Sequence, residues 1–199
     1  MEHYRTELFP DPADQADEGR KGGIRRFLLD AMETILLSLV LFLGINAISA
    51  RIRIESISMQ PTLYAGDFVI VNKIAYTLGT PNRGDVIIFH YPPDPQREPY
   101  IKRIVGLPGD SVQVAHGEVL VNGHALSEPY IYAAPVYQGQ WVVPDGSLFV
   151  LGDNRNSSSD SHQWGMVPIG NIIGKAELVY WPPTQWKMLN QATAFAAEP

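Results

Sequence analysis

The sequence predicts a mostly β protein, in which an antiparallel-sheet domain with a smaller inserted β lobe follows one N-terminal transmembrane helix. Three observations predict this class. One long apolar run lies near the N-terminus, many short β-prone runs follow it, and Gly and Pro clusters separate most of those runs. The balance of 45% hydrophobic and 18% charged residues is that of an ordinary globular protein with a packed core.

Composition excludes several classes of function. The formal net charge is -6 and no long basic run is present, so a nucleic-acid partner is not expected. Cysteine is absent, which rules out disulfides, thiolate catalysis and cysteine zinc sites. The five histidines show no metal-ligand spacing, and there is no G-x-S-x-G motif. We therefore expect no metal site.

The N-terminal region divides into a polar tail and an apolar segment. Residues 1–24 are rich in Asp, Glu, Gly and Pro and predict a disordered cytoplasmic tail. Residues 25–50 predict a transmembrane anchor, because their apolar stretch reaches roughly 20 residues, enough to cross a bilayer as a helix. The flanking basic residues are Arg20, Lys21, Arg25 and Arg26 before the stretch, and Arg51 and Arg53 after it. The positive-inside rule then places the N-terminus in the cytoplasm and residues 51–199 outside, as an extracytoplasmic β domain.

A cleaved signal peptide is the competing interpretation of the same segment. The basic cluster, the apolar stretch and Ala47-Ile48-Ser49 match the plan of such a peptide. The apolar region is long for that role, however, and apolar residues continue as Ile52 and Ile54 without a clean mature start. The length favours an uncleaved anchor, while self-cleavage near the tripeptide stays open.

After residue 51 the pattern changes to strands. The β-prone runs are 68–71, 86–89, 101–105, 112–114, 119–121, 148–151 and 176–180. Asn122-Gly123 and Asp145-Gly146 are two-residue turn signals, and no long amphipathic helix follows the anchor. We therefore expect mostly antiparallel sheet, with residues 109–143 forming a smaller lobe inserted between two halves of the main sheet.

Two polar segments interrupt this pattern. In the first, Ser58 lies three residues before Pro61, whose fixed φ favours a stiff turn that exposes the hydroxyl. On this segment alone, an ordinary serine-rich turn is the better explanation. In the second, residues 152–161, short polar and charged side chains follow a predicted strand. They form either a solvated loop or a fixed polar network.

A candidate base lies in the strand predicted over 101–105. Alternation places Tyr100 and Lys102 on one face and Ile101 and Arg103 on the other, so one of the two cations is expected to face apolar surroundings. A solvated lysine has a pKa of about 10.4, but burial lowers it by as much as about 3–5 pH units and yields a neutral amine that accepts a serine proton. An edge-strand lysine that discourages sheet pairing is the alternative, and periodicity does not decide between them.

Taken together, these segments resemble the bacterial type I signal peptidases, the Ser/Lys proteases of protein export. The likeness covers the chain from the anchor to about Tyr180. It lies in five blocks: Ser58 to Leu63, Gly66-Asp67 with Val71 to Lys73, Arg83 to Val86, Tyr100 to Asp110, and Gly152 to Arg155 with Ser158, Asp160 and Ser161. Each block alone is weak, but five in this order behind a single N-terminal anchor make a specific match.

The resemblance implies a serine endopeptidase that cleaves signal peptides from exported preproteins after small residues (Ala-x-Ala) through an acyl-enzyme. It implies that Ser58 is the nucleophile and Lys102 the general base, with the Ser58 N–H and the Ser56 hydroxyl as the oxyanion hole. The implied partners are preproteins and the lipid bilayer of the plasma membrane, and no cofactor is expected. The residues implied to line shallow apolar substrate pockets are Ile54, Met59, Leu63, Tyr100 and Ile101.

The resemblance also implies a set of supporting residues. Ser158 is expected to hydrogen-bond the Lys102 amine, with Asp160 behind it. Arg103 is expected to pair with Asp153 across the two segments. The sequence departs from the family pattern at His162, where arginine is common, so support of the nearby carboxylate is expected to be weaker and to depend on pH.

Two other functions fit parts of the sequence. A self-cleaving Ser/Lys repressor-type protease shares the chemistry, but such proteins carry a soluble or DNA-binding N-terminal region in place of an anchor. A non-catalytic, membrane-anchored β module that presents its loops to a partner needs no base. The combination of Ser58, Lys102, Ser158 and Asp160 therefore favours an enzyme over this module.

Overall fold

The computed structural model describes residues 12–189 and 194–195 of the 199-residue chain. The chain divides into two compact units, Met1–Asn46 and Ala47–Pro199. The first unit is dominated by helix α1 (Pro12–Ile48). Within α1 the 25 residues Ile24–Ile48 are long and apolar enough to cross a membrane. At 1.5 Å per residue they extend about 37 Å, which exceeds the hydrocarbon thickness of about 30 Å.

The start of α1 corrects the predicted boundary of the tail. Residues 1–11 of the predicted disordered tail lie outside the described residues, but residues 12–24 are helical. Proline is well suited to the first helical position, because the N–H that it lacks would have no intrahelical partner there. Extending an existing helix also costs far less than nucleating one. The apolar segment therefore continues its helix into the polar residues that precede it.

The second unit is an antiparallel β domain, which confirms the predicted fold class. Its strands in chain order are β1 (Ser49–Arg53), β2 (Phe68–Asn72), β3 (Val86–Phe89), β4 (Tyr100–Gly106), β5 (Ser111–Ala115), β6 (Glu118–Val121), β7 (His124–Ser127), β8 (Gly139–Val142), β9 (Ser147–Leu151), β10 (Val167–Pro168), β11 (Ile172–Trp181), β12 (Lys187–Met188) and β13 (Ala194–Phe195). Two short helices, α2 (Ala75–Leu78) and α3 (Ser161–Trp164), lie between strands.

These strands form two sheets. The larger sheet has the order β1-β2-β11-β3-β4-β9-β10, with β12 also paired to β11, and the smaller sheet has the order β13-β7-β6-β5-β8. Strands β5 to β8 lie in the chain between β4 and β9, which pair with each other in the larger sheet. The predicted inserted lobe is therefore present as the smaller sheet. The sequence did not predict β13, which joins this sheet from the C-terminal end of the chain.

Two tight turns fix the register of the smaller sheet. The predicted Asn122-Gly123 turn joins β6 to β7, and both of its residues have positive φ, 53° and 85°. His116 and Gly117 join β5 to β6 in the same conformation, with φ of 54° and 82°. Positive φ at both central residues is the mark of a type I′ hairpin turn. The second turn was not predicted, because histidine is a weaker signal for this conformation than asparagine.

Strand β4 lies where three apolar core clusters meet. Ile101, Val105 and Ile104 each belong to a different one of these clusters. Both faces of β4 are therefore covered, and both cations of the strand are buried: the side chain of Lys102 is 4% exposed and that of Arg103 is fully buried. The sequence predicted burial on one face. Because both faces are buried, each cation requires its own compensation in the protein interior.

Candidate active site

Ser58 lies on a rigid turn between β1 and β2. The loop is closed at its base where the Ile54 N–H donates to the carbonyl oxygen of Asp67 at 2.8 Å. Immediately after Ser58 the chain makes a tight turn, in which the Leu63 N–H donates to the Met59 carbonyl at 2.8 Å. The side chains of Met59 and Leu63 are fully buried in the core. They fix the turn from beneath and so hold the hydroxyl in place.

The Lys102 amine contacts the Ser58 hydroxyl. The distance from Lys102 Nζ to Ser58 Oγ is 2.8 Å, and the same Nζ donates to the carbonyl oxygen of Ile101 at 2.9 Å. The amine also lies 5.4 Å from the centroid of the Tyr100 ring. The Ser58 side chain is buried as well, at 7% exposure. Two residues 44 positions apart in the sequence are thus held within proton-transfer distance.

The surroundings of Lys102 favour its uncharged form. Burial lowers the pKa of Lys102 from its ordinary value to about 8, because the ammonium loses its hydration. The carboxylates of Asp160 and Asp153 act in the opposite direction, since they attract the ammonium. Burial is the larger effect. A lysine with a pKa near 8 is a far better base at neutral pH than a solvated one.

The predicted Arg103–Asp153 pair is present and ties the loop after β9 to β4. Arg103 Nε donates to Asp153 Oδ1 at 2.8 Å and Nη2 donates to Oδ2 at 2.6 Å, and both side chains are fully buried. Arg103 Nη1 also donates to the carbonyl oxygen of Gly84 at 2.8 Å, and the guanidinium lies 4.0 Å from the centroid of the Tyr130 ring. This bidentate pair anchors the loop one residue away from Lys102.

The same loop, residues 152–160, also holds the backbone of the Ser58 turn. The Asn154 N–H donates to the Ser58 carbonyl at 3.0 Å, and its side-chain amide donates to the Ile57 carbonyl at 3.2 Å. A Cβ atom at Gly152 would lie 2.5 Å from the Ser58 carbonyl oxygen, so only glycine allows this approach. Sequence reasoning assigned no role to Asn154 or Gly152, although both belong to a block of the resemblance.

The structure places two further predicted residues beside the loop. Asp160 is fully buried, and its Oδ2 accepts from the Gly152 N–H at 3.0 Å while its Oδ1 lies 2.6 Å from His162 Nδ1. Ser158 Oγ is buried and has no hydrogen-bond partner among the described residues. The predicted hydrogen bond from Ser158 to the Lys102 amine is therefore absent, since the amine contacts Ser58 and a backbone carbonyl instead.

An open groove of about 840 Å³ leads to Ser58 and Lys102. Three of the predicted substrate-pocket residues line it, namely Ile54, Tyr100 and Ile101. The predicted pocket residues Met59 and Leu63 are packed in the core beneath the turn and do not line the groove. The lining residues that the sequence did not indicate are Arg51, Ile52, Arg53, Glu55, Ile88, Arg97, Glu98, Pro99 and Ser159.

Ser56 also lines this groove. Its hydroxyl oxygen lies 3.3 Å from Ser58 Oγ. A β domain whose buried amine contacts a serine hydroxyl at the end of an open groove has the features of a serine hydrolase with a lysine base. An apolar N-terminal helix adds the features of a membrane-associated protein of that class.

Comparison with known proteins identifies the family. Residues 28–181 match the family model described as signal peptidase, peptidase S26. The chain is 50% identical over 164 residues to a signal peptidase I of Leptolyngbya laminosa, covering 78% of this chain and 80% of that protein. The chain therefore belongs to the signal peptidase family, and it is a peptidase.

Two further relatives by sequence agree with this assignment. A probable signal peptidase I-2 of a Synechocystis species is 45% identical over 161 residues, covering 77% of this chain and 73% of that protein. Thylakoidal processing peptidase 1 of Arabidopsis thaliana, a chloroplastic protein, is 37% identical over 189 residues, covering 86% of this chain and 56% of that protein. Among solved structures, a signal peptidase I of Enterococcus faecalis matches with a TM-score of 0.45 and 30% identity, covering 49% of this chain and 97% of that one.

Proposed function

We propose that the protein is a membrane-anchored serine endopeptidase that cleaves signal peptides from exported preproteins after small residues (Ala-x-Ala). In this proposal Ser58 is the nucleophile and Lys102 is the general base. The observation that carries it is the 2.8 Å distance between Lys102 Nζ and Ser58 Oγ, with both side chains buried at the groove. That distance lies within the reach of about 2.6–3.2 Å that proton transfer requires.

The reaction starts from the uncharged amine. With a pKa of about 8, about a tenth of the Lys102 amines are neutral at pH 7, against well under a thousandth for a solvated lysine. The neutral amine takes the proton of Ser58 as Oγ attacks the scissile carbonyl carbon. The resulting ammonium then returns a proton to the leaving amine of the mature protein, which leaves the signal peptide as an ester on Ser58. Water, deprotonated by the same amine, hydrolyses this ester.

The negative oxygen that forms during each attack needs donors that are already in place. The Ser56 hydroxyl, 3.3 Å from Ser58 Oγ, and the Ser58 N–H are proposed to supply them. Ser158, whose buried hydroxyl has no partner among the described residues, is proposed to accept a hydrogen bond from Lys102 once the amine is an ammonium. Asp160 and the Arg103–Asp153 pair are proposed to hold this arrangement together.

The groove supports a preference for an extended peptide with small side chains. Strand β1 ends the order of the larger sheet, and its residues Arg51 to Arg53 line the groove. An extended substrate can pair with such a strand, and alternate side chains then point to the same side. Ile54, Tyr100 and Ile101 form apolar surroundings for those side chains. Ala-x-Ala places its two alanines at alternate positions of this kind.

Helix α1 is proposed to anchor the enzyme in the plasma membrane. The span Ile24–Ile48 supplies the length, and the basic residues are concentrated on its N-terminal side. This charge distribution supports an orientation with the N-terminus in the cytoplasm and the β domain outside, where the cleavage sites of exported proteins emerge. The lipid bilayer thereby brings enzyme and signal peptide to the same surface.

An acylating probe tests the nucleophile. A penem is expected to label Ser58 of the full-length protein in detergent micelles, because ring opening forms a stable ester on Oγ, and peptide mass spectrometry locates the label. Ser159→Ala changes another serine of the same groove and is the matched control, expected to be labelled normally. Labelling that persists in Ser58→Ala would contradict the proposal, and no labelling of the wild type would favour a non-catalytic anchored module.

A further inference from the structure

A strand-free segment of the inserted lobe lies along the loop of residues 152–160, which holds the backbone of Ser58. Residues 128–138, the connector, join β7 to β8 and contain no strand. The Tyr132 N–H donates to the Asp153 carbonyl at 3.2 Å. Asn156 is held at two points, since its Oδ1 accepts from the Val136 N–H and its Nδ2 donates to the Ala134 carbonyl, both at 2.9 Å. The connector therefore follows the loop over much of its length.

The connector also pairs with the buried cations of the site. Glu128 accepts from Arg155 Nη1 at 2.8 Å and Nη2 at 2.6 Å, while Arg155 Nε donates to the Gly152 carbonyl at 3.1 Å. The Tyr130 ring covers the guanidinium of Arg103. None of these contacts involves Ser58 or Lys102 directly. The connector acts on the residues that support them.

The most specific contact of the connector is made by Tyr137. The Tyr137 ring stacks on the His162 ring, with centroids 3.9 Å apart and planes 8° from parallel. His162 Nδ1 in turn lies 2.6 Å from Asp160 Oδ1, and Asp160 Oδ2 accepts from the Gly152 N–H. Asp160 is one of the two carboxylates whose charge acts on Lys102. A chain of contacts thus runs from the inserted lobe to Gly152, which lies against the Ser58 carbonyl, and the charge of Asp160 acts on Lys102.

The ring of Tyr137, and not its hydroxyl, makes this contact. The hydroxyl oxygen is buried and has no hydrogen-bond partner among the described residues. Burying an unpaired hydroxyl is unfavourable, so the hydroxyl does not explain why tyrosine occupies this position. The charged groups that act on Tyr137 are Asp160, Arg155 and Glu128. The flat face of the ring restricts His162 to one orientation, and that orientation aims Nδ1 at the carboxylate.

We propose that Tyr137 is a positioning residue for the reaction proposed above: its ring fixes His162, which fixes Asp160 on the Gly152 N–H beside the Ser58 carbonyl. The inference rests on the proposed roles of Ser58 and Lys102. It assigns the inserted lobe a role in the reaction, because Tyr137 belongs to that lobe whereas Ser58 and Lys102 do not. Loss of the ring is expected to misplace the base without changing the groove that binds the substrate.

The test compares Tyr137→Leu with Tyr137→Phe in the full-length protein, using cleavage of a purified preprotein. Tyr137→Leu is expected to lower kcat about 10- to 100-fold with KM unchanged, since a small misplacement of a reacting group has effects of that size. The acid limb of kcat/KM is expected to move to lower pH, because a loosened Asp160 raises the pKa of Lys102 less. Tyr137→Phe keeps the ring and is expected to match the wild type.

Further variants keep the result interpretable. Tyr132→Leu changes an exposed tyrosine of the same connector, 71% exposed, and is expected to have no effect. His162→Phe keeps a ring for stacking but loses the contact with Asp160, and is expected to lower kcat as Tyr137→Leu does. Wild-type kcat and an unmoved acid limb in either Tyr137→Leu or His162→Phe would overturn the inference, as would a loss shared by Tyr137→Phe. A wild-type protein without penem labelling at Ser58 would instead overturn the proposed function.

Discussion

Replacing Lys102 with alanine is expected to lower preprotein cleavage at least about 10³-fold while the protein stays folded. General bases typically contribute about 10²–10⁴ to the rate, and here the same amine serves both acylation and hydrolysis of the ester. Folding is expected to survive, because the carboxylate of Asp160 keeps its contacts with His162 and the Gly152 N–H. The measurement is kcat for a purified preprotein in detergent micelles, with near-ultraviolet circular dichroism as the check on folding.

Two matched variants separate loss of the base from loss of a side chain. Lys102→Arg keeps a long cation, but a guanidinium stays protonated and is expected to be as inactive as alanine. Lys187→Ala removes a half-buried lysine that lines a different cavity and is expected to cleave normally. Ser58→Ala is expected to abolish the same activity. Cleavage close to wild type in Lys102→Ala would contradict the assignment of the base.

Replacing Arg103 with methionine is expected to destabilise the β domain by about 3–5 kcal/mol, the usual effect of leaving one member of a buried ion pair unpaired. Asp153 is fully buried, and two of its hydrogen bonds come from Arg103. The tight contact with the Thr62 hydroxyl, at 2.5 Å, does not replace the lost charge. The free energy of unfolding, measured in urea on the full-length protein in micelles, checks this expectation.

The control for Arg103 uses a more accessible ion pair of the same domain. Arg83 contacts Asp110 at 3.0 Å, and their side chains are 13% and 12% exposed, so Arg83→Met is expected to destabilise the domain less. Combining Arg103→Met with Asp153→Leu removes both buried charges and is expected to regain part of the lost stability. If Arg103→Met alone lowered the free energy of unfolding by less than about 1 kcal/mol, Arg103 would not be stabilising a buried Asp153 charge, which would contradict the structure.

Much of the fold could be predicted from local sequence. Runs of β-branched residues located most of the strands, and Asn122-Gly123 identified a hairpin turn because few sequences tolerate two positive φ values. The local pattern did not locate the start of the helix at Pro12. Once the apolar segment has formed a helix, the helix can extend into the polar residues before it at little cost. The alternation of side chains along β4 placed Lys102 and Arg103 on opposite faces of the strand. It could not show that both faces are covered.

The candidate site was predictable in its chemistry and less so in its contacts. The resemblance indicated Ser58, Lys102 and the Arg103–Asp153 pair, which the structure brings together. It did not distinguish side chains that line the groove from Met59, which supports the turn from the core. The contact of Tyr137 with His162 joins the connector to α3, two elements that are distant in the sequence. No local pattern encodes such a contact, because it depends on the tertiary packing of these two elements.

The central claim is that Lys102 is uncharged often enough at neutral pH to act as a base. The most direct test is the pKa of its amine, measured by heteronuclear NMR on the full-length protein in micelles with labelled lysine, the resonance being assigned by its loss in Lys102→Arg. Burial is expected to place the titration midpoint at a pKa of about 8. A midpoint near the solvated value of about 10.4 would contradict the account.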